Sequence, residues 1–568
     1  MKSITTLKVN CKDCHRCVRS CPVKAIGIDK GQARVVENRC IVCGRCVTEC
    51  PQKAKQVENQ VAEIKAKIAS GYKVLMSLAP SFIGSFPEYK GKELFQAIKS
   101  LGFYDVEETA IGAEIVSSHY SRMLEESQEP VISACCPVVV NVIKTYYPDL
   151  VKNIAPVVSP MIAHGKVIKH RSGNDTYVVF AGPCVAKIGE AEKDADSIDA
   201  VITFEQLRQW LQESDDRRYA VKDTAPQQVA PEPQGRGRYF PISGGILKSF
   251  MDHDETDTEI ITVDGIENCM ETFDALGKGE ISPRFIEALA CSGGCIGGPV
   301  SGNQQCRAAK RREVINYAKN SSRDSEQDYD KTLSFARIHQ AKPVAFPMPT
   351  EAEIAAILRQ TGKTAAADEK NCGACGYNSC RDKAIAVYQG LAENDMCVPY
   401  MRSKAESFAN IIVTNSLNAI IVVDNRMIIQ DFNPAAQAMF DWGREMATGM
   451  NLGEIIDCAH FVYAAKSGNK VVGKRVEYVH YGLVTEQMII PVPKHDVIIA
   501  IITNVTDQEK KVKELELMKL ETIKKATQVI DKQMHVAQEI AGLLGETTAE
   551  TKSALLEVIW LLKGKEEA

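Results

Sequence analysis

A doubled cysteine motif constrains this chain more than any other feature of its sequence. Residues 11–22 and 40–51 both read C-x2-C-x2-C-x3-C-P, so they form an internal repeat. Disulfides are rare in a reducing compartment, where dense cysteine more often indicates metal binding. Soft thiolates at this spacing suit iron sulfide. The start of the chain is therefore predicted to fold around metal clusters.

The repeat resembles the bacterial ferredoxin pattern, in which the fourth cysteine of each run ligates the other cluster. The resemblance implies a ferredoxin-like domain with two [4Fe–4S] clusters at residues 1–58. Its two ligand sets are Cys11, Cys14, Cys17 and Cys50, and Cys21, Cys40, Cys43 and Cys46. Zinc is the alternative metal, but paired zinc knuckles do not use the doubled C-P pattern.

The composition predicts several globular domains. The chain has 568 residues, 45% hydrophobic and 25% charged, and roughly 100–200 residues per domain gives about three to five units. A net charge of −5 without a long cationic tract makes nucleic acid an unexpected partner. No apolar run reaches the roughly 18 residues of a membrane span, and the start lacks an apolar secretion signal. We therefore expect a cytoplasmic protein.

A larger α/β domain is predicted at residues 71–340. Residues 56–70 have the pattern of a polar helix, and the apolar run that follows Gly71 is typical of a buried strand. Further strand-like runs occur at 177–181 and 200–203, with an amphipathic stretch at 91–100. Residues 212–238 are polar and rich in Pro, Gln and Arg, which predicts a surface excursion.

Three separate segments of this domain carry its cysteine motifs. They are residues 133–137 (SACCP), 182–190 (GPCVAKIGE) and 287–299 (EALACSGGCIGGP). Four thiolates from distant loops can surround a cube-shaped cluster, and glycines let the backbone approach it closely. An adjacent Cys-Cys pair rarely supplies two ligands to one cluster, so one of Cys135 and Cys136 is left over.

These motifs resemble those of the [FeFe] hydrogenases, T-S-C-C-P, P-C-x-x-K-x-x-E and E-x-x-A-C-x-x-G-C-x-x-G-G, in the same order. The resemblance covers residues 1–340. It implies an H-cluster, that is, a [4Fe–4S] cluster linked to a two-iron subcluster with CO, cyanide and a bridging azadithiolate. The implied ligands of the [4Fe–4S] half are Cys136, Cys184, Cys291 and Cys295. Cys295 would also bridge to the two-iron subcluster.

The same resemblance implies roles for three residues beside the cluster. Cys135 would pass protons to the azadithiolate amine, a role that suits the weak acidity of an unligated thiol. Lys187 would hydrogen-bond one cyanide, and Ser81, in the segment Ala79-Pro80-Ser81, would contact the other. Such contacts orient a metal group and tune its potential.

The chain departs from the family along the usual proton route. The family serine corresponds to Ala155, and two glutamates correspond to Tyr120 and Met123, none of which we expect to relay a proton onward. Water or a nearby side chain could substitute, and the candidates are Glu114, His119, Glu125 and Glu126.

The pocket is altered as well. Gly182 and Leu289 stand where the family has methionine, and Met161 stands where it has glutamine. These changes remove or exchange contacts to the two-iron site. Together with the interrupted proton route, they predict slow turnover.

A second cysteine cluster is predicted at residues 345–402. Cys372, Cys375, Cys380 and Cys397 follow C-x2-C-x4-C-x16-C, which resembles a small four-cysteine iron–sulfur domain of electron-transfer and corrinoid proteins. The resemblance implies a third [4Fe–4S] cluster besides the H-cluster. Zinc remains the alternative, because four cysteines alone do not exclude it.

Residues 405–507 resemble a PAS domain. An apolar strand, a turn at Asp424-Asn425 and a second strand precede Asn433-Pro434, which opens a short helix. Strand-like runs follow near 474–481, 483–492 and 496–504. PAS domains sense ligands or mediate dimerisation, so the resemblance implies an α+β sensory module.

The tail, residues 508–568, is predicted to be helical from its three- and four-residue apolar spacing. Val512, Leu515, Met518 and Ile523 are candidate seam positions of a coiled coil, so we expect a homodimer. No kinase domain follows, and His535 lacks a phosphoacceptor pattern, so any output requires a separate signalling partner. A plain dimerisation helix is the alternative.

Three functions follow from this multidomain α/β architecture. The first is a slow, reversible hydrogenase that senses H2 or redox state and signals through the PAS domain and tail. The second is a metabolic hydrogenase that exchanges electrons with a ferredoxin-like partner. The third is a non-catalytic relative in iron–sulfur assembly, which Cys135, Lys187 and Ser81 argue against.

Overall fold

The computed structural model describes residues 3–89, 93–215, 236–251, 259–303, 305–319, 332–544 and 553. The chain divides into two compact units, Met1–Met401 and Arg402–Ala568. Among the described residues, no helix combines the length and apolar character needed to cross a membrane.

The ferredoxin-like segment consists of two short sheets and two short helices. Strand β1 (Ile4–Thr6) pairs antiparallel with β4 (Lys55–Val57), and β2 (Ile26–Asp29) pairs with β3 (Gln32–Val35). Helices α1 (Arg16–Ser20) and α2 (Arg45–Thr48) each carry one motif cysteine, Cys17 and Cys46. Each half of the sequence repeat thus supplies one helix.

The predicted helix at 56–70 is wrong in its first residues. Residues 55–57 form β4, and helix α3 (Val61–Ala69) begins only after the pairing with β1 ends. Because the partner strand lies at the start of the chain, local periodicity does not reveal this pairing.

Two parallel sheets form the α/β domain, one in the order β6-β5-β8-β9 and the other in the order β10-β11-β7. Most of these strands are buried along their length, as apolar runs in a parallel sheet should be. The strands are β5 (Val74–Leu78), β6 (Asp105–Glu108), β7 (Val131–Ile132), β8 (Tyr177–Gly182), β9 (Ala200–Thr203), β10 (Ile260–Asp264) and β11 (Phe285–Leu289).

Helices connect these strands. They are α4 (Phe82–Ser85), α5 (Glu93–Ser100), α6 (Ala110–Glu126), α7 (Pro137–Tyr146), α8 (Pro160–Ser172), α9 (Ala186–Ala191), α10 (Phe204–Asp215), α11 (Gly245–Phe250), α12 (Ile266–Gly277) and α13 (Arg307–Lys319).

Most of the predicted excursion at 212–238 lies outside the described residues. Its first residues belong to α10, and its last are not on the surface, since Gly237 and Arg238 are buried. Arg238 donates to both carboxylate oxygens of Glu108. Because Arg238 is held in this buried ion pair, the chain re-enters the core at residues that their polarity predicts to be exposed.

The four-cysteine segment contains α14 (Glu351–Gln360) and α15 (Cys380–Tyr388). Both begin with a capping box, in which Thr350 and Ser379 accept a hydrogen bond from the third helical residue. Helix α16 (Val398–Thr414) begins directly after Cys397.

The second unit contains a five-stranded antiparallel sheet in the order β13-β12-β16-β15-β14. Its elements are β12 (Ala419–Asp424), β13 (Ile429–Phe432), α17 (Pro434–Phe440), α18 (Arg444–Ala447), α19 (Ala459–Ser467), β14 (Val471–Tyr478), β15 (Leu483–Val492), β16 (Val497–Asn504) and α20 (Thr506–Leu544). The predicted α+β fold is confirmed. Of the predicted helical tail, residues 545–552 and 554–568 lie outside the described residues.

Candidate functional site

The three cysteine motifs of the α/β domain lie at the carboxyl ends of parallel strands. Strands β7, β8 and β11 end just before Cys135, Cys184 and Cys291 respectively. Ligand sites in parallel α/β sheets form at this edge, because the strand ends point the following loops toward one another. The topology therefore brings together loops that are far apart in sequence.

These loops enclose a small cavity of about 80 Å³. Its polar or ionisable lining includes Ser81, Cys135, Cys184, Lys187 and Cys295. Most of the remaining wall is apolar. The cavity can thus hold a group that binds thiolates on one side, while the apolar wall excludes water on the other sides.

The four predicted ligands of the [4Fe–4S] half come together beside this cavity. Burial raises the pKa of Cys291, and the charges of Cys184, Cys136 and Cys295 raise it further. Burial also raises the pKa of Cys295, and the charges of Cys136 and Cys184 raise it further. Four half-buried thiols this close suit a metal group that binds them as thiolates.

The donor set of this site consists of soft ligands. Four cysteines come from three loops, and soft thiolates suit iron–sulfur clusters. Among the described residues, no group of three or more His, Cys, Asp or Glu side chains is arranged to hold a single metal ion.

Cys135 contacts the hydroxyl of Tyr120, which the sequence does not predict. The Tyr120 hydroxyl lies 3.2 Å from Cys135 Sγ and accepts a hydrogen bond from the Ala134 amide at 2.9 Å. Burial raises the pKa of Cys135 to about 12, and the Tyr120 contact opposes that rise. The prediction that Tyr120 does not relay a proton onward stays a prediction, and the structure adds a polar contact between its hydroxyl and the thiol.

Beyond Tyr120 the surroundings are aromatic. Tyr120 is fully buried, and the rings of Phe285 and Phe250 lie 5.4 and 6.3 Å from its ring. Apolar rings cannot accept a proton, so the hydroxyl has no onward acceptor in that direction.

Lys187 is held beside the cavity by three acceptors. Its ammonium donates to Glu190 Oε2 at 2.7 Å, to Ser159 Oγ at 2.9 Å and to the Cys135 carbonyl at 3.4 Å. Burial alone would lower the pKa of Lys187, but the Glu190 carboxylate outweighs it and raises the pKa above its ordinary value. The side chain therefore stays charged.

Ser81 presents an unsatisfied hydroxyl to the same cavity. It is 1% exposed, and its Oγ has no hydrogen-bond partner among the described residues. A buried hydroxyl without a partner costs free energy unless a ligand completes it. Ser81 thus fits a cofactor with a hydrogen-bond acceptor at this point.

Phe180 accounts for one of the pocket substitutions. A Cβ at Gly182 would lie 2.6 Å from the Phe180 ring, so the ring fills the space beside the glycine. Met161 and Leu289, the other two substituted positions, both line the cavity. All three departures from the family pattern therefore lie at the site.

The remaining residues named for the proton route lie outside the cavity wall. Ala155 is buried, and its amide donates to the Ile132 carbonyl. Met123 is half-buried on α6. The described cavity lining includes none of the four candidate substitutes, Glu114, His119, Glu125 and Glu126.

The two predicted ferredoxin sets are also grouped. Burial raises the pKa of Cys17, and the charges of Cys11, Cys14 and Cys50 add to the rise. Burial also raises the pKa of Cys46, and the charges of Cys43, Cys40 and Cys21 add to that rise. Each buried cysteine thus has as neighbours the cysteines that the repeat assigns to its own cluster.

The second of these sets faces the α/β domain. Cys43 is close enough to raise the pKa of Cys291. At Gly44, which has a φ of +74°, a Cβ would lie 2.7 Å from Pro299 and 3.1 Å from Val185. This close approach brings a ferredoxin-like cluster site next to the candidate H-cluster site.

Three of the four later cysteines surround Lys383. Burial lowers its pKa, and the charges of Cys397, Cys375 and Cys380 oppose that change. Lys363 donates to Cys397 Sγ at 3.4 Å. Cys372 is exposed in the loop that leads into this group.

Two further residues belong to the site but were not assigned from sequence. Glu190 pairs with Lys187, and their spacing of three residues on one helix is a signal that could have predicted the contact. Cys269 is fully buried and close to Cys136, since Cys136 raises its pKa. The sequence around Cys269 carries no motif.

A family model described as "Iron only hydrogenase large subunit, C-terminal domain" matches residues 72–299. This segment is similar to the domain that the model describes. Other models match the flanking parts of the chain. They are a 4Fe-4S dicluster domain at residues 4–66, an Fe-S cluster domain at 368–399 and a PAS domain at 406–476.

Parts of this chain are similar in sequence to known hydrogenases. Iron hydrogenase 1 of Clostridium pasteurianum is 27% identical over 283 residues, which cover 40% of this chain and 49% of that protein. The match thus spans about half of that relative. The periplasmic [Fe] hydrogenase large subunit of Nitratidesulfovibrio vulgaris is 24% identical over 354 residues, which cover 51% of this chain and 84% of that protein.

Among solved structures, an [FeFe]-hydrogenase of Chlamydomonas reinhardtii matches part of this chain. The sequences are 18% identical with a TM-score of 0.37, and the match covers 46% of this chain and 89% of that one.

Proposed function

We propose that this protein is a slow, reversible [FeFe] hydrogenase that senses H2 or redox state. The observation that carries the proposal is the cavity at the strand ends. It combines Cys135, Cys184 and Cys295 with a charged Lys187 and the unsatisfied hydroxyl of Ser81. An assembly protein without a two-iron group would have no use for the last two.

In this proposal the cysteines divide the work. Cys136, Cys184, Cys291 and Cys295 would hold the [4Fe–4S] half of the H-cluster, and Cys295 would also link the protein to the two-iron subcluster. When bound, that subcluster would supply the chemistry by which H2 is split into protons and electrons or formed from them. Lys187 would place its positive charge, and Ser81 its free hydroxyl, beside the cyanide ligands, and the apolar wall would exclude water.

Cys135 holds the first proton of the route at its Sγ, in contact with the Tyr120 hydroxyl. The aromatic rings beyond Tyr120 interrupt further transfer. Positioned proton transfer contributes about 10²–10⁴-fold to rates, so an interrupted route supports slow turnover. A slow enzyme suits sensing better than fuel metabolism.

The attached domains support signalling. Residues 406–476 match a PAS domain, and a long helix follows it. A separate signalling protein would read their state. The exposed Cys14 in the first ferredoxin set favours electron exchange with an external ferredoxin-like partner, which a metabolic hydrogenase would also require.

Infrared spectroscopy of protein matured with the two-iron cofactor tests this function. We expect bands of CO and cyanide together with low H2 turnover. Absence of the bands would overturn the hydrogenase assignment, and fast turnover would favour the metabolic alternative.

A pair of cysteine variants tests the bridging ligand. Cys295→Ala should abolish the infrared bands, because it removes the thiolate that links protein and subcluster. Cys458→Ala is the matched control, since it removes a half-buried thiol in the second unit that we assign to no cluster and should keep the bands. Normal bands in Cys295→Ala would contradict the ligand assignment.

A further inference from the structure

The four-cysteine segment packs against the ferredoxin-like segment within the first unit. At Gly376, a Cβ would lie 3.0 Å from the Val18 side chain and 3.2 Å from the Arg19 backbone, so the two loops meet at close range. Arg19 also donates to the Ala374 carbonyl at 3.1 Å. Polar contacts extend this interface at Ile28–Leu391, Lys30–Glu393, Arg34–Gly390 and Arg39–Gln389.

Tyr377 lies at the centre of this interface. It is 4% exposed, and its hydroxyl has no hydrogen-bond partner among the described residues. Its ring lies 5.9 Å from the Lys24 ammonium, and it follows Cys375 by two residues. Tyr377 therefore has a free donor between the loop of the four-cysteine set and Lys24.

Lys24 is a cation that also faces both sites. Its ammonium donates to the Gly376 carbonyl at 2.9 Å and to the carbonyls of Val18 and Arg19 at 3.3 Å. Burial lowers its pKa, and the charges of Cys21 and Cys375 oppose that change. One positive charge is thus held between the two cluster sites, where it favours the more negative, reduced state of each.

We propose that Tyr377 and Lys24 form an electron-transfer contact between the four-cysteine cluster and the cluster of Cys21, Cys40, Cys43 and Cys46. With both clusters bound, one electron would leave a [4Fe–4S]⁺ cluster, giving [4Fe–4S]²⁺, and would enter the oxidised cluster on the other side, giving [4Fe–4S]⁺. No proton moves and no bond breaks.

This contact gives the proposed function a defined internal connection. Beside Cys43, a Cβ at Gly44 would lie 2.7 Å from Pro299, so the ferredoxin-like segment packs closely on the loop that carries Cys291 and Cys295. On the other side, Cys397 directly precedes α16, which leads into the PAS domain. The supply of electrons from H2 rests on the proposed hydrogenase function, but the contact between the two cluster sites does not.

Redox titration followed by electron paramagnetic resonance tests the contact in the full, cluster-loaded chain. Dithionite and chemical mediators supply the electrons, so the two-iron group is not needed. Cys372→Ser, which should remove the four-cysteine cluster, identifies that cluster's signal. Lys24→Met should then shift two midpoint potentials to more negative values, those of the four-cysteine cluster and the Cys21 set. The third ferredoxin-type cluster should change less.

Lys30→Met is the matched control, because its exposed side chain lies in the same segment and should leave all the potentials unchanged. Tyr377→Phe provides a second variant, which removes only the free hydroxyl and should lower the potential of at least one of the two clusters. Loss of a hydrogen-bond donor near cluster sulfur acts in that direction.

If Lys24→Met retains its iron and shifts neither potential or only one, the shared contact is overturned. Unchanged potentials in Tyr377→Phe would remove Tyr377 from it. If the shifts occur but H2 fails to reduce any cluster in the matured protein, the proposed function fails while this contact stands.

Discussion

Single side chains control what the cavity can do. Lys187 is kept charged by Glu190, Ser81 keeps a free hydroxyl, and Tyr120 supplies a polar contact to Cys135 within an apolar wall. Restoring a carboxylate at position 120 would place a charge beside Phe250 and Phe285 and remove the contact with the thiol. The route is therefore not repaired simply by returning the family residue.

Tyr120→Phe tests the role of the hydroxyl. It removes the partner of both the Cys135 thiol and the Ala134 amide, and the orphaned amide should lower the free energy of unfolding by about 1–3 kcal/mol. Because the aromatic rings beyond Tyr120 leave its hydroxyl without an onward acceptor, H2 turnover should stay close to that of the parent, whereas loss of a working proton-transfer group would cost about 10²-fold or more. Turnover is measured at matched cofactor loading.

Tyr147→Phe is its control, since it also removes one phenolic hydroxyl, from a hydrogen bond to the Met270 carbonyl that is not part of the cavity. A fall of about 10²-fold in Tyr120→Phe but not in Tyr147→Phe would show that protons pass through Tyr120 and would contradict the interrupted route.

Short elements hold the cluster sites together. Helix α2 follows Gly44, whose missing side chain lets the ferredoxin-like segment approach Pro299 and Val185. In the second unit, α17 is fixed by Asn433, which accepts from the amides of Ala436 and Ile420. Its amide group donates to the carbonyls of Val413, in α16, and Asn418.

Gly44→Ala should weaken the packing of the ferredoxin-like segment. The new methyl group meets Pro299, and the positive φ adds conformational strain, so we expect about 1–3 kcal/mol of destabilisation. Gly71→Ala separates the two causes, because Gly71 also has a positive φ but nothing lies within 4 Å of its Cβ. In thermal unfolding of the cluster-loaded proteins, Gly44→Ala should have a lower melting temperature than Gly71→Ala. The reverse order would contradict the close approach.

Asn433→Ala should destabilise the PAS domain without affecting the clusters. Loss of a helix cap costs about 0.5–2 kcal/mol, and the other orphaned groups add to this. Asn425→Ala serves as control, since Asn425 makes an exposed side-chain contact with Asp496. Calorimetry should show a lower transition temperature for Asn433→Ala at unchanged iron content. Loss of iron would indicate that the PAS fold supports a cluster site.

Much of this arrangement follows from local sequence, and some of it cannot. Cysteine spacing predicts groupings of Cys17 and Cys46 that agree with their neighbours in the structure, because ligand sets are built into short motifs. Apolar runs predict strands such as Tyr177–Gly182. The pairing of Ile4 with Val57, the contact of Tyr120 with Cys135 and the packing of Gly376 on Arg19 depend on distant parts of the chain. No local pattern encodes them.

The assembled protein is expected to be a dimer through its last long helix. Val512, Leu515 and Met518 are exposed on α20, and Ile523 is half-buried, as unpaired seam positions should be. The combined variant Leu515→Glu with Met518→Glu should shift the protein from dimer to monomer. Sedimentation velocity measures the change, and iron content should stay the same.

Exchange of the neighbouring Glu514 and Glu516 for Gln is the control for altered charge and should leave the dimer intact. A double variant that remains dimeric would place the interface elsewhere than these seam positions.

The packing of the four-cysteine segment on the ferredoxin-like segment also sets an order of events during biosynthesis. Arg39 and Gln389, which meet in this interface, lie 350 residues apart. At about 5–20 residues per second, the ribosome needs roughly 20–70 s to make the intervening chain. Contacts of such long range also form slowly. Until then, Val18, Lys24 and Arg39 of the ferredoxin-like segment are not covered by the four-cysteine segment. A chain whose synthesis stops early leaves that surface accessible to chaperones and proteases.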